Sequence, residues 1–354
     1  KNVDVSGSVV YRYENFDDSK GFNTSFDNAI TNMNATEYKK FQELTGLDTV
    51  VPQNLAAGEL GIDPDKDRTD RNRYKIGLNL SSKVNDYVKF NSRFIIGQDT
   101  GFTSLGAKKD NNNASGAQGD TEAEVQLSNA YFGFTAIPNT IVNVGKQGLT
   151  TPYTVAVDIN GNEQTGTGIL ALSTFGPVTG GLGYFNNQNI DKGITGANIT
   201  PGVLGSVVRY SAGSLDLTGG EDLYVATVQG DLDFVKLESW YLGMQDTFNS
   251  YTLAATGKID IAENAKIGLE ARYVNLKLDN ELASDDDRKN SMFRLAVDGK
   301  VSIVNARLAY TQTGKHGGLT AVDQDAKNAS LGWFLTSNGV PDAKYWQAAL
   351  GADI

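Results

Sequence analysis

From residue 3 the chain alternates. Val3, Val5, Val9, Tyr11 and Tyr13 fall on one side of an extended segment, and Asp4, Ser6, Ser8 and Arg12 on the other. A period of two over residues 3–13 predicts a β-strand longer than the soluble average. At ~3.3 Å per residue and a tilt near 45°, such a strand rises roughly 25 Å, the height of the apolar band of a membrane barrel. The same alternation predicts strands over 71–82, 87–98, 122–136, 139–147, 169–175, 180–185, 222–230, 233–245, 251–261, 265–278, 291–301, 303–313 and 343–354, with a small one at 206–211. Face parity slips between Leu127 and Ala130, which predicts a bulge.

The connections are uneven. Residues 14–70 form a very long polar connection in which 35–46 read as a short helix, and 99–121, 186–220 and 314–342 are long and polar too. The others are tight turns. Long connections on one side only, with about fourteen amphipathic strands, predict an all-β, transmembrane, antiparallel up-and-down barrel with long extracellular loops. Such a sheet must close, since an open edge in lipid leaves backbone groups unpaired. Residues 1–354 thus read as a single barrel domain lacking its last strands, with 14–70 as a long extracellular loop.

Residues 146–168 stand apart. They hold an apolar run (Tyr153, Val155, Ala156, Val157), then Asp158, Asn160 and Glu163, then Gly166 and Gly168. A solvated loop has little use for Tyr-Thr-Val-Ala-Val. The segment is therefore expected to fold inward as a constriction loop, with Asp158, Asn160 and Glu163 at the narrowest point. Arg12, Arg71, Arg73, Lys75, Lys89 and Arg93 sit on the polar faces of their strands and predict a basic ladder on the pore wall opposite. An ordinary exposed loop and the wet face of a soluble sheet are the plainer readings of these two features.

Composition narrows the choice. The chain has 354 residues, no Cys, 39 Gly and a net charge of −11. Nucleic acid is excluded as a partner on electrostatic grounds, and disulfides and thiolate metal sites by the missing cysteine. A mean hydropathy of −0.32 is compatible with a membrane barrel, in which only alternate residues meet lipid. No catalytic set is apparent: His316 is a lone loop histidine, and Asp285 to Asp287 read as a solvated turn. The DPDKD at 63–67 fails as an EF-hand, with Arg68 at the glycine position and Tyr74 at the closing glutamate position.

Four stretches, in order along the chain, resemble one family. They are DVSGSVVYRYENFDD, NRYKIGLNLSSKVNDYVKF, VNVGKQ followed by Asp158 and TGTG, and GLEARYVNLKLDNEL. Each is similar to a segment of the major outer-membrane porins of Campylobacter and related bacteria. The resemblance implies a homotrimer of 18-stranded barrels in the outer membrane, in contact with lipid and lipopolysaccharide. It implies calcium at the constriction, with Asp158, Asp191 and Asp323 as the matching ligands, Asn160 or Glu163 as replacements for Asp158, and Asp325 competing with Asp323. The expected function is a general diffusion porin passing small hydrophilic solutes and ions. A preference for cations is expected despite the basic ladder, because the acids of residues 146–168 sit where the path is narrowest, while the wall cations are spread along the strands and have acids such as Glu122, Glu124, Glu238 and Glu270 nearby to pair with. The alternatives are an adhesin or ligand-binding barrel acting through its long loops, and a soluble all-β binding protein.

Overall fold

The structure is a computed structural model describing residues 3–17, 68–97, 102–104, 125–159, 161–190, 219–283, 285–330 and 335–353. The expected loop helix at 35–46 and small strand at 206–211 lie outside these residues. Fifteen strands follow in order: β1 (Val3–Asp17), β2 (Arg68–Lys83), β3 (Val88–Ile96), β4 (Thr103–Ser104), β5 (Val125–Phe134), β6 (Thr140–Gly148), β7 (Thr165–Phe175), β8 (Val178–Gln188), β9 (Leu223–Leu232), β10 (Val235–Met244), β11 (Phe248–Ala262), β12 (Ala265–Leu278), β13 (Lys289–Val301), β14 (Val304–Thr313) and β15 (Lys344–Ala352). Fourteen of them pair in sequence order, and the two-residue β4 pairs with β2 off this path. The expected strands are thus present, and β4 is an addition within a stretch read as loop. The bulge is present as well: β3 and β5 slip register between Arg93 and Phe94, leaving Ser128 as the extra residue.

The chain divides into two compact units. The smaller contains residues 8–76 and 102–124. In it Tyr11 donates a hydrogen bond to Asn72 (2.5 Å), Arg73 donates to the Phe102 carbonyl (3.2 Å), and Arg12 lies 4.2 Å over the Phe102 ring.

The larger unit contains residues 1–7, 77–101 and 125–354. One face of its sheet is apolar and exposed: Leu253, Leu269, Phe293, Leu295, Val297, Leu308 and Leu350 all stand open. Near the end with long connections this face carries a row of aromatics. Tyr184 lies 5.5 Å from Tyr224, Tyr251 lies 6.1 Å from Tyr273, and Tyr310 lies 4.7 Å from Trp346. Near the tight turns Phe175 and Phe234 are exposed. From Phe234 to Tyr241 is about 23 Å along the strand, which matches an apolar band between two aromatic girdles.

The other face is charged mid-strand and apolar toward the long connections. On β12 it reads Glu270, Arg272, Val274, Leu276, Leu278. The apolar ends of β8 to β13 (Phe185, Leu223, Leu242, Met244, Phe248, Leu276, Met292) form the main core, which two connections cover.

Candidate functional site

The first covering connection is the one between β6 and β7. Its strand β7 begins at Thr165, earlier than the expected Ile169, because the glycine-rich exit pairs with β6 through Gly148↔Thr165. Residues 149–164 therefore make the whole excursion. Leu149 and Tyr153 enter the core beneath it. Tyr153 is fully buried, and its phenol accepts a hydrogen bond from the Thr252 hydroxyl of β11 (2.8 Å). Burial pushes the phenol pKa up to about 12, so the group stays neutral. The segment thus packs on the sheet through Leu149 and Tyr153.

Its tip is a tight turn. The Asp158 carboxylate accepts from the Asn162 backbone N–H (2.7 Å) and side-chain amide (2.6 Å), and Val157 bridges Glu163. Glu163 does not project toward open space. Its carboxylate accepts from Arg93 Nη2 (2.8 Å), from Arg93 Nε (3.0 Å to each oxygen) and from the bulged Ser128 hydroxyl (2.5 Å). Glu163 is buried at 2% side-chain exposure and Arg93 is mostly covered at 12%. One residue of the expected acidic tip and one of the expected basic wall are in direct contact here, Glu163 and Arg93. The reason is the bulge, which turns Ser128 to the inner face beside Arg93 and completes a cradle for the carboxylate. Asn189 closes it, donating to the Glu163 carbonyl (2.8 Å) and accepting from Thr165 N–H (2.6 Å).

The second covering connection, residues 314–343, corrects an expectation. It reads as a polar loop, yet Leu319, Thr320, Ala321, Val322, Asp323 and Asn328 are all buried. Its backbone docks on the first connection, Val322 N–H to Tyr153 O (3.0 Å) and Asn328 N–H to Pro152 O (2.8 Å). The Asn328 side chain donates to Thr252 (2.8 Å) and accepts from Arg272 (3.2 Å). Arg294 donates to the carbonyls of Ala329 (2.9 Å) and Lys327 (2.6 Å). Hydrogen-bond donors on the sheet are thus matched to loop carbonyls, and the polar sequence of the connection is what fits it to a charged face.

Glu238 and Glu270 pair with cations of the later strands. Arg272, Arg294 and Arg307 contact Glu270 at 2.8, 2.7 and 3.2 Å, and Arg272 also reaches Glu238 at 3.7 Å. These three arginines on β12, β13 and β14 form a row absent from the expected ladder. Their alternation with Phe293, Leu295 and Leu308 was the available signal. Of the expected ladder, Arg93 belongs to the Glu163 cradle and Lys89 is exposed on β3. Arg12, Arg73 and Lys75 belong to the smaller unit, where Lys75 is buried; the Arg71 side chain lies outside the described set.

Three acids meet where the connections touch. Ile159 N–H donates to Asp325 Oδ2 (2.8 Å), and Asp325 N–H donates to Asp323 Oδ1 (2.7 Å). Burial pushes the Asp323 pKa up to about 7, with the charges of Asp158 and Asp325 adding to the rise. Asp323 Oδ2 is buried and has no hydrogen-bond partner among the described residues. Of the three expected calcium ligands, Asp158 and Asp323 come together; Asp191 lies outside the described residues, as does Asn160. Among the described residues no set of three His, Cys, Asp or Glu side chains is placed to hold a metal.

No protein-family model matches this chain, and no curated protein matches it. Solved structures do. OccAB3 of Acinetobacter baumannii matches at TM-score 0.61 and 12% identity, over 80% of this chain and 70% of that one. OpdK of Pseudomonas aeruginosa, solved with vanillate, matches at TM-score 0.59 and 12% identity, over 80% and 72%. OpdL of Pseudomonas aeruginosa matches at TM-score 0.55 and 14% identity, over 80% and 70%. These neighbours are outer-membrane β-barrel porins. The fold is therefore of the outer-membrane porin kind, all-β and antiparallel, with strands joined up and down. At such identities the likeness concerns the fold alone, and the Campylobacter-type resemblance is carried by its sequence segments.

Proposed function

We propose that this chain lines a water-filled diffusion channel in the bacterial outer membrane, passing small hydrophilic solutes and ions without any chemical step. One observation carries the reading. Two connections lodge against a charged strand face, while the opposite face is a continuous apolar surface with aromatic girdles. That is the division of a pore wall between lumen and lipid. Purified protein in planar bilayers should show stepwise conductance; its absence at saturating protein would reject the channel. The working unit is taken as a homotrimer, checked by cross-linking in detergent.

Selectivity is proposed to favour cations. Neither Asp323 nor Asp325 forms an ion pair among the described residues, and Asp158 lies beside them. A carboxylate ~5 Å from a passing ion in water contributes about 0.8 kcal/mol, roughly a fourfold occupancy bias. Asp158→Asn should therefore lower the cation-to-anion permeability ratio severalfold, read from the reversal potential across a salt gradient with chelator present. An unchanged ratio would remove this acid group from the selectivity element.

Calcium fits the donor chemistry, which is oxygen only. Asp158 and Asp323 would hold the ion, with Asp191 the expected third ligand, and Asp323 Oδ2 is the buried atom a cation would satisfy. A bound divalent ion would supply positive charge, which would keep Asp323 ionised and weaken cation preference. Calcium titration calorimetry on wild type and Asp323→Asn tests this.

A further inference from the structure

The ladder between β5 and β6 stops at Ala130↔Lys146. Yet β5 continues along β3 to Ile96↔Val125, and β6 continues along β7 to Gly148↔Thr165. The two strands part beyond that point. Each carries an irregularity there: the Ser128 bulge on β5, and on β6 Gly145 at φ 128°, where a Cβ would stand 2.5 Å from the Ala130 carbonyl. Between them lies a cavity of about 350 Å³. Ser128 and Glu163 are at its floor, and Leu127, Lys146, Thr167 and Asn187 line it further out.

These outer residues stand on the exposed apolar face. Gly166 points inward, since a Cβ on it would meet the buried Phe185 ring and Leu149. Its neighbour Thr167 therefore points outward, and Thr167 pairs with both Lys146 and Asn187. Leu127 is exposed on the same face. Asn187 lies three residues beyond Tyr184, away from the β7–β8 turn, so the opening is above the aromatic row, at headgroup depth.

An occupant of this opening would lie between the apolar face and the headgroup layer. The charge at the rim selects it. Lys146 forms no ion pair among the described residues. Glu163 is the one acid among the lining residues, and Arg93 answers its charge. The ammonium of Lys146, with the Thr167 hydroxyl and Asn187 amide beside it, makes a compact donor set for an anion. Exposed Leu127 and Ile169 continue the apolar surface on which acyl chains would lie.

We propose that this cleft binds the phosphate group of an anionic membrane lipid, with Lys146 as its counter-ion. The inference rests on the exposed face being the lipid face, as in the channel reading. Wild type, Lys146→Gln and Lys146→Arg, purified in neutral detergent, are titrated with phosphatidylglycerol, phosphatidylcholine or inorganic phosphate while thermal unfolding is followed by gel migration. Phosphatidylglycerol should raise the wild-type midpoint, with an apparent affinity at least tenfold weaker for Lys146→Gln and largely kept by Lys146→Arg. Phosphatidylcholine should act weakly on all three. Equal phosphatidylglycerol responses in wild type and Lys146→Gln overturn the proposal, and a full response to inorganic phosphate alone overturns the lipid as its source. Bilayer conductance is measured alongside: the expected Lys146→Gln channel conducts as wild type does, whereas a silent wild type strikes the channel reading and not the lipid site.

Discussion

The Arg93–Glu163 contact permits a quantitative test of how the constriction segment is held. Replace Glu163 with Ala. Arg93 then loses its three hydrogen bonds to the carboxylate and keeps the one from Nη1 to Asn79 (3.1 Å). At 2.8 Å and an effective dielectric constant near 20, the direct attraction is about 6 kcal/mol before desolvation is subtracted. Breaking one side of a buried pair leaves a buried charge behind and costs about 3–5 kcal/mol. Arg93→Ala should cost a similar amount, because Glu163 is buried more deeply still. The pair Arg93→Met with Glu163→Leu removes both charges at similar volume, so most of the loss should be recovered. Urea unfolding in detergent, followed by Trp fluorescence, of wild type, the two alanine variants and their combination gives the four corners of the double-mutant cycle, with the Met–Leu pair measured beside it. Single losses below ~1 kcal/mol that simply add would refute the claim that this pair anchors the segment. Single-channel records of Glu163→Ala should also show frequent brief closures, since the tip has lost its hold on β3 and β5.

Other expected outcomes follow from the same contacts. Tyr153→Phe deletes the acceptor for Thr252 at the opposite anchor; it should cost about 1 kcal/mol and raise open-channel current noise with mean conductance kept. Asp323 has a folded-state pKa raised from 3.8 to about 7, so its protonated form is the one favoured by folding. In chelator, wild-type stability should therefore fall as pH rises from about 4 to about 7, and Asp323→Asn should lack this slope in thermal melts. Gly168→Ala should cost about 1–3 kcal/mol or more in the same melts, because its Cβ would run into the Tyr184 carbonyl oxygen, a backbone atom of the adjoining strand that cannot swing aside.

Period-two alternation by itself determined where most strands lie and which apolar side chains stand exposed on one face. Leu253, Phe293, Leu295, Leu308 and Trp346 follow from parity alone, since successive side chains on a strand point to opposite faces. The slip at Leu127 to Ala130 was legible for the same reason, and so was the packing on the sheet of residues 149–164, whose buried Tyr153 could not rest in water. The polar alternate positions were not resolved by parity, which tells that a side chain faces inward and not what it meets there. Arg93 and Arg294 look alike in the sequence. One is claimed by Glu163, 70 residues away, and the other by loop carbonyls at Lys327 and Ala329. Residues 314–342 read as a long polar loop, yet Leu319, Thr320, Asp323, Asn328 and Ser330 among them are buried because the strand face beneath them is charged. Hydrogen-bond complementarity between distant segments leaves no periodic trace along the chain, so the tertiary structure alone decided which acids are neutralised and which are left at the junction of the two connections.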